Sequence, residues 1–152
     1  MASAQIACNK VALYRYWNGK DHFYTTNAQE IGTTTAGLKG KCGHTSEGTA
    51  CYISSNQASG YKPLYRYFNG KEHFYTANPH EIGTDVAGVK GKYGYTCEGI
   101  AGYVPSVGTA LYRYFNGTDH FYTTNAQEIG TITAGLKGKY GYKSEGIACY
   151  VL

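Results

Sequence analysis

The 152-residue chain lacks the signals that mark most membrane proteins, nucleic-acid binders and enzymes. No apolar run approaches the roughly 20 residues that span a bilayer, so membrane insertion is not expected. Charge is sparse: 14 basic and 10 acidic residues leave a formal net charge of +4. No Lys/Arg run gathers it into a patch, which argues against nucleic acid as a partner. Lys39, Lys41, Lys90, Lys92, Lys137 and Lys139 each adjoin a glycine instead, as residues of solvated turns do. The opening residues have neither the basic start nor the apolar stretch of a signal peptide. Localisation therefore stays open between the cytoplasm and secretion by a route not visible here.

Gly-x-Ser-x-Gly, His-Glu-x-x-His and P-loop patterns are absent, and nothing indicates the paired carboxylates of a glycosidase. An enzyme is not expected, and neither is a cofactor. Without a Cys-x-x-Cys pair a structural zinc is not expected, and no metal is assigned; calcium held by an acid and backbone carbonyls stays open although there is no Asp-rich loop.

What the chain does have is repetition. Residues 13–53, 64–104 and 111–151 are three units of 41 residues, and the first and third agree at 33 of them. A lone unit of that size rarely supports its own core, so the three are expected to share one within a single domain spanning 1–152. The five cysteines ignore the repeat: Cys42 aligns with Tyr93 and Tyr140, Cys97 with Ser46 and Ser144, and Cys51 and Cys149 with Gly102. A disulfide framework common to the units is thereby excluded.

Each unit opens with two aromatic runs around Asn-Gly, such as Leu13-Tyr14-Arg15-Tyr16-Trp17 and His22-Phe23-Tyr24, which predicts a hairpin with a tight turn. Asn27, Asn78 and Asn125 then precede Ala or Pro, with Glu two positions further on. That pattern predicts a short helix with a capping box, stopped by the glycines and threonines that follow. The unit closes on a Tyr-rich strand, a Glu-Gly turn or bulge and an apolar strand. Four strands and one helical turn per unit give a mostly β fold with short helical turns. The expected form is a closed pseudo-three-fold body, β-trefoil-like, with a three-bladed propeller-like ring as the alternative.

The repeat also sorts residues into columns. Nine of the ten acids fall in three: Asp21, Glu72, Asp119; Glu30, Glu81, Glu128; and Glu47, Glu98, Glu145. Arg15, Arg66 and Arg113 form another, with the Glu47 column as their natural bidentate partner. Asp21-His22, Glu72-His73 and Asp119-His120 lie just past the hairpin turn, where side chains are expected to stay partly exposed. Together with Tyr24, Tyr75 and Tyr122 and with Asn27, Asn78 and Asn125, they offer carboxylate, imidazole, amide and ring face. Sugar recognition needs that mixture, since hydroxyls take bidentate hydrogen bonds and the C–H patch of a pyranose packs on a ring. Three modest sites held in fixed directions gain avidity on clustered glycans. The competing reading is a structural or protein-interaction module whose columns serve only the core.

The words Leu-Tyr-Arg-Tyr-Phe-Asn-Gly, His-Phe-Tyr-Thr-Thr-Asn-Ala-Gln-Glu and Glu-Gly-Ile-Ala-Cys-Tyr-Val resemble a tandem-repeat domain of unknown function. In that family the domain is often attached to secreted bacterial hydrolases, and animal members include lectin-like proteins that bind galactose-type sugars. The resemblance implies an accessory or free-standing carbohydrate-binding module. The leading expectation is a multivalent, non-enzymatic lectin whose partners are galactose-type glycans, with the chain a monomer or a homodimer. It supplies no binding residues of its own.

Overall fold

The computed structural model describes residues 5–152. It contains nine strands and six single-turn 3-10 segments, with no α-helix among the described residues. In the first unit these are β1 (Lys10–Trp17), β2 (His22–Thr25) and β3 (Thr45–Ser54). The second has β4 (Tyr61–Phe68), β5 (His73–Thr76) and β6 (Thr96–Pro105). The third has β7 (Thr109–Phe115), β8 (His120–Thr123) and β9 (Lys143–Val151).

Three strands per unit replace the expected four, because the Glu-Gly step does not end a strand. At Glu47-Gly48 the ladder between β1 and β3 slips register and continues, so one bulged strand runs where two were expected. The hairpin holds, with Trp17 opposite His22 and Arg15 opposite Tyr24, but its loop has four residues. Asn18 Oδ1 accepts from the backbone N–H groups of Lys20 and Asp21, and only Gly19 takes a positive φ. An Asx-type turn therefore does the work assigned to a two-residue one.

Strand order is β2-β1-β3-β6-β4-β5 in one sheet and β8-β7-β9 in the other. Both sheets are open and neither closes on itself, where a closed body was expected. The first two units merge through a single pair, Ser54 with Tyr103. Gly102 permits that approach, since a Cβ there would lie 2.4 Å from Ile53 Cδ1.

The expected short helix is a single 3-10 turn, residues Ala28–Glu30 in the first unit. Asn27 caps it by accepting from Gln29 N–H, as Asn78 and Asn125 do in theirs. The return half of the capping box is not made: Glu30 bonds Thr25 and an arginine of the next unit instead. A second turn, Lys41–Gly43, is held by Lys41 N–H donating to Ile31 C=O. A Cβ on Gly40 would sit 2.2 Å from that carbonyl oxygen, and Gly91 and Gly138 repeat the approach at 2.3 Å.

One buried cluster draws on all three units: Leu13, Tyr24 and Ile53; Leu64, Tyr75 and Val104; Leu111, Tyr122 and Val151. Smaller clusters, such as Tyr114, Phe121, Ile129 and Tyr142, lie inside each unit. No helix of the described residues is long and apolar enough to cross a membrane.

Candidate functional site

Tyr24, Tyr75 and Tyr122 lie where the units meet, edge to face at centroid distances of 5.3–5.5 Å. Each hydroxyl donates to a backbone carbonyl of another unit and accepts that residue's N–H. Tyr24 serves Tyr122, Tyr75 serves Tyr24, and Tyr122 serves Tyr75. All three are 1–2% exposed, so they present no face to solvent. Burial raises their hydroxyl pKa values well above 10 and keeps them neutral.

The acid–histidine pairs were expected within each hairpin and partly exposed. Asp21, Glu72 and Asp119 are instead buried, and each serves the histidine of a different unit. His22 Nδ1 lies 2.6 Å from Asp119, His73 Nδ1 2.6 Å from Asp21, and His120 Nδ1 2.8 Å from Glu72. The same carboxylates accept the backbone N–H of those histidines. Carboxylate oxygens of Asp21, Glu72 and Asp119 lie within 4.8 Å of one another, which makes them the acids placed to share a cation. Their three histidines already supply the balancing donors.

Glu30, Glu81 and Glu128, assigned to capping, pair across the interfaces with arginines. Arg113 donates from both terminal nitrogens to Glu81, at 3.0 and 2.9 Å, and from Nε to Glu145 at 2.7 Å. Arg15 bridges Glu128 and Glu47 in the same way, and Arg66 bridges Glu30 and Glu98. Each guanidinium also covers a phenylalanine of the adjoining unit, at 4.7–4.8 Å from the ring centroid. The predicted pairing of the Arg15 and Glu47 columns is thus present through Nε alone, while the bidentate fork expected for it goes to the Glu30 column.

These bridges floor three pockets, one per interface. The pocket between units two and three, about 560 Å³, is lined by Glu81, Tyr93, Arg113, Phe115, His120 and Glu145 among others. Between units three and one, about 430 Å³, the counterparts are Glu128, Tyr140, Arg15, Trp17, His22 and Glu47. Between units one and two, about 200 Å³, they are Glu30, Cys42, Arg66, His73 and Glu98. Of the twelve residues expected to bind, only His22, His73 and His120 line these pockets. The tyrosines are buried in the central cluster, Glu72 lines a separate pocket of about 740 Å³ between the three hairpin loops, and the asparagines cap the 3-10 turns. Sequence reasoning missed Tyr93 and Tyr140, which are 78% and 80% exposed and take φ 60°. A large residue in the left-handed region costs about 1 kcal/mol or more, a strain often met at binding sites. The signal available was a Tyr-Gly pair recurring beside a lysine.

A family model described as a domain of unknown function, DUF5648, matches residues 12–152. The chain belongs to the DUF5648 family. No curated protein and no solved structure matches it.

The electrostatics of this DUF5648 chain fix the charge each pocket carries. Burial disfavours a charged imidazole, but hydrogen bonds to Asp119 and Glu47 outweigh it and raise His22 above 6.5. His73 and His120 are raised in the same way. Desolvation opposes ionisation of the pocket carboxylates, yet Glu47, Glu98 and Glu145 are held below 4.5 by histidine and arginine. Arginine and threonine lower Glu30, Glu81 and Glu128 likewise. Every pocket therefore offers ionised acceptors, and neither of its carboxyl groups is tuned upward as a proton donor.

Proposed function

We propose that this DUF5648 protein is a multivalent carbohydrate-binding protein, a lectin for galactose-type sugars, with its sites in the interfaces between units. The observation that carries the reading is the pocket of Glu81, Glu145 and Arg113 beside Phe115 and Tyr93, built again from Glu128, Glu47 and Arg15 beside Trp17 and Tyr140. Ionised carboxylates accept hydrogen bonds from neighbouring sugar hydroxyls, arginine donates to ring and hydroxyl oxygens, and an aromatic face covers the C–H patch. The carboxyl groups held low in pKa support binding over glycoside hydrolysis, which needs one raised acid. The galactose preference rests on the family resemblance.

The proposal includes the arrangement of the units, a pseudo-three-fold body of propeller-like form in which the open sheets are tied to one another by hydrogen bonds between units. Its support is the cycle of tyrosine hydrogen bonds and the Leu152 N–H that donates to Tyr52 C=O, joining the third unit to the first. Such a body points several sites outward at fixed angles, the condition for avidity. The reading as a structural module keeps the tyrosine and acid–histidine columns, whose hydrogen bonds are spent between units.

A glycan array followed by haemagglutination inhibition tests the function. Binding inhibited by galactose or its derivatives is expected, and Arg113→Ala with Arg15→Ala is expected to weaken it. Absence of sugar-inhibitable binding across the array refutes the lectin reading.

A further inference from the structure

Two positions distinguish the three pockets. At the left-handed position of the second turn, units two and three carry Tyr93 and Tyr140, while unit one carries Cys42 on the same backbone, φ 57° against 60°. Two residues later they carry Tyr95 and Tyr142, whose hydroxyls donate to Glu72 and Asp119, while unit one carries His44. His44 is 6% exposed and neither ring nitrogen has a hydrogen-bond partner among the described residues. An imidazole is shorter than a phenol, which explains why it does not make the bond to Asp21 that the tyrosines make to their acids.

The consequence is a difference in lining. The pocket between units two and three has four aromatic side chains, Phe74, Tyr93, Tyr95 and Phe115. The pocket between units three and one has Trp17, Phe121, Tyr140 and Tyr142. The pocket between units one and two has Phe23, with Phe68 stacked on His73 as Phe115 is on His120 and Trp17 on His22, but it has neither tyrosine and less than half the volume of either other. All three retain an arginine, a histidine and two glutamates, so the polar groups are repeated while the two tyrosine faces are not.

We infer that the protein has two classes of pocket: two tyrosine-faced sites in which Tyr93 and Tyr140 stack on a pyranose, and a third in which Cys42 and His44 stand in place of both tyrosines. Tyr93 and Tyr140 are the residues that set this affinity. Their exposure gives them no share in the core, and the backbone they occupy is one that glycine or asparagine adopts with less strain. An exposed ring held there is explained by what it meets outside the protein. The inference rests on the lectin reading and specifies which interfaces bind strongly.

The test is a residue-resolved NMR titration of the full chain with methyl β-galactoside. Amides around Tyr93 and Tyr140 are expected to shift together, with affinity about five-fold or more above that reported by amides around Cys42. Tyr93→Ala is expected to abolish strong binding at its own pocket while Tyr140 continues to respond. Cys42→Tyr is expected to bring its pocket into the strong class, a gain that misfolding cannot mimic. Equal affinities at all three pockets in the unaltered protein, or no gain in Cys42→Tyr, overturn the inference and leave the lectin reading standing. No shift at any pocket, with no binding to any other glycan, sinks both.

Discussion

Tyr24, Tyr75 and Tyr122 each join two units through one oxygen, at once donor and acceptor to the same neighbour's backbone. Removing that oxygen leaves a buried N–H and a buried C=O without partners, each costing about 1–3 kcal/mol. Tyr24→Phe is therefore expected to lower the unfolding free energy by about 2 kcal/mol or more in urea titration, with little effect on sugar affinity. Gly91 shows the same dependence on a single atom. A Cβ there meets Ile82 C=O at 2.3 Å, so Gly91→Ala is expected to cost about 1–3 kcal/mol and to disturb the turn that presents Tyr93. Thermal unfolding of the variant checks the first effect, and the NMR shifts of Lys92–Gly94 check the second.

At the scale of elements, hairpins such as β1–β2 bring histidine and arginine to an interface, and 3-10 turns such as Ala28–Glu30 bring the opposing glutamate. The pH dependence follows from the directions of their shifts. His22, His73 and His120 are raised on folding, so their contribution is complete below about 6.5 and is lost as pH climbs through the higher folded values. The six pocket glutamates, of the Glu30 and Glu47 columns, are lowered, so theirs is complete above about 4.5 and is lost as pH falls through the lower folded values. The melting temperature is expected to peak between about pH 4.5 and 6.5 and to decline on both sides. Calorimetry from pH 3 to 9 checks it, and a melting temperature still rising above pH 7 contradicts it.

These elements were largely legible in the sequence: the hairpin from Asn-Gly between aromatic runs, the turn from its asparagine cap, the Arg15–Glu47 pair from the columns. Glu30 was misassigned because a glutamate near a cap satisfies the local rule, while its stronger partner, Arg66, lies 36 residues away in another copy. Asp21-His22 failed for the same reason. Repetition reveals that a column matters, yet it leaves open which copy supplies its partner, since every copy offers the same residues.

For the whole molecule, the central cluster and the Arg–Glu and His–carboxylate pairs between units, such as Arg15–Glu128 and His22–Asp119, make each unit dependent on the others. A peptide of residues 13–53 alone is expected to show no dispersed amide spectrum, because Arg15 loses Glu128, His22 loses Asp119 and Tyr24 loses Tyr75 and Tyr122. The pockets are each lined by two units, so the proposed function depends on the interfaces that hold the fold. Soaking a crystal of the intact protein in galactose tests that claim most directly. The account predicts sugar against Tyr93 and Arg113 and against Tyr140 and Arg15. Sugar bound only at the Asn-Gly hairpin tips, or nowhere on the molecule, contradicts it.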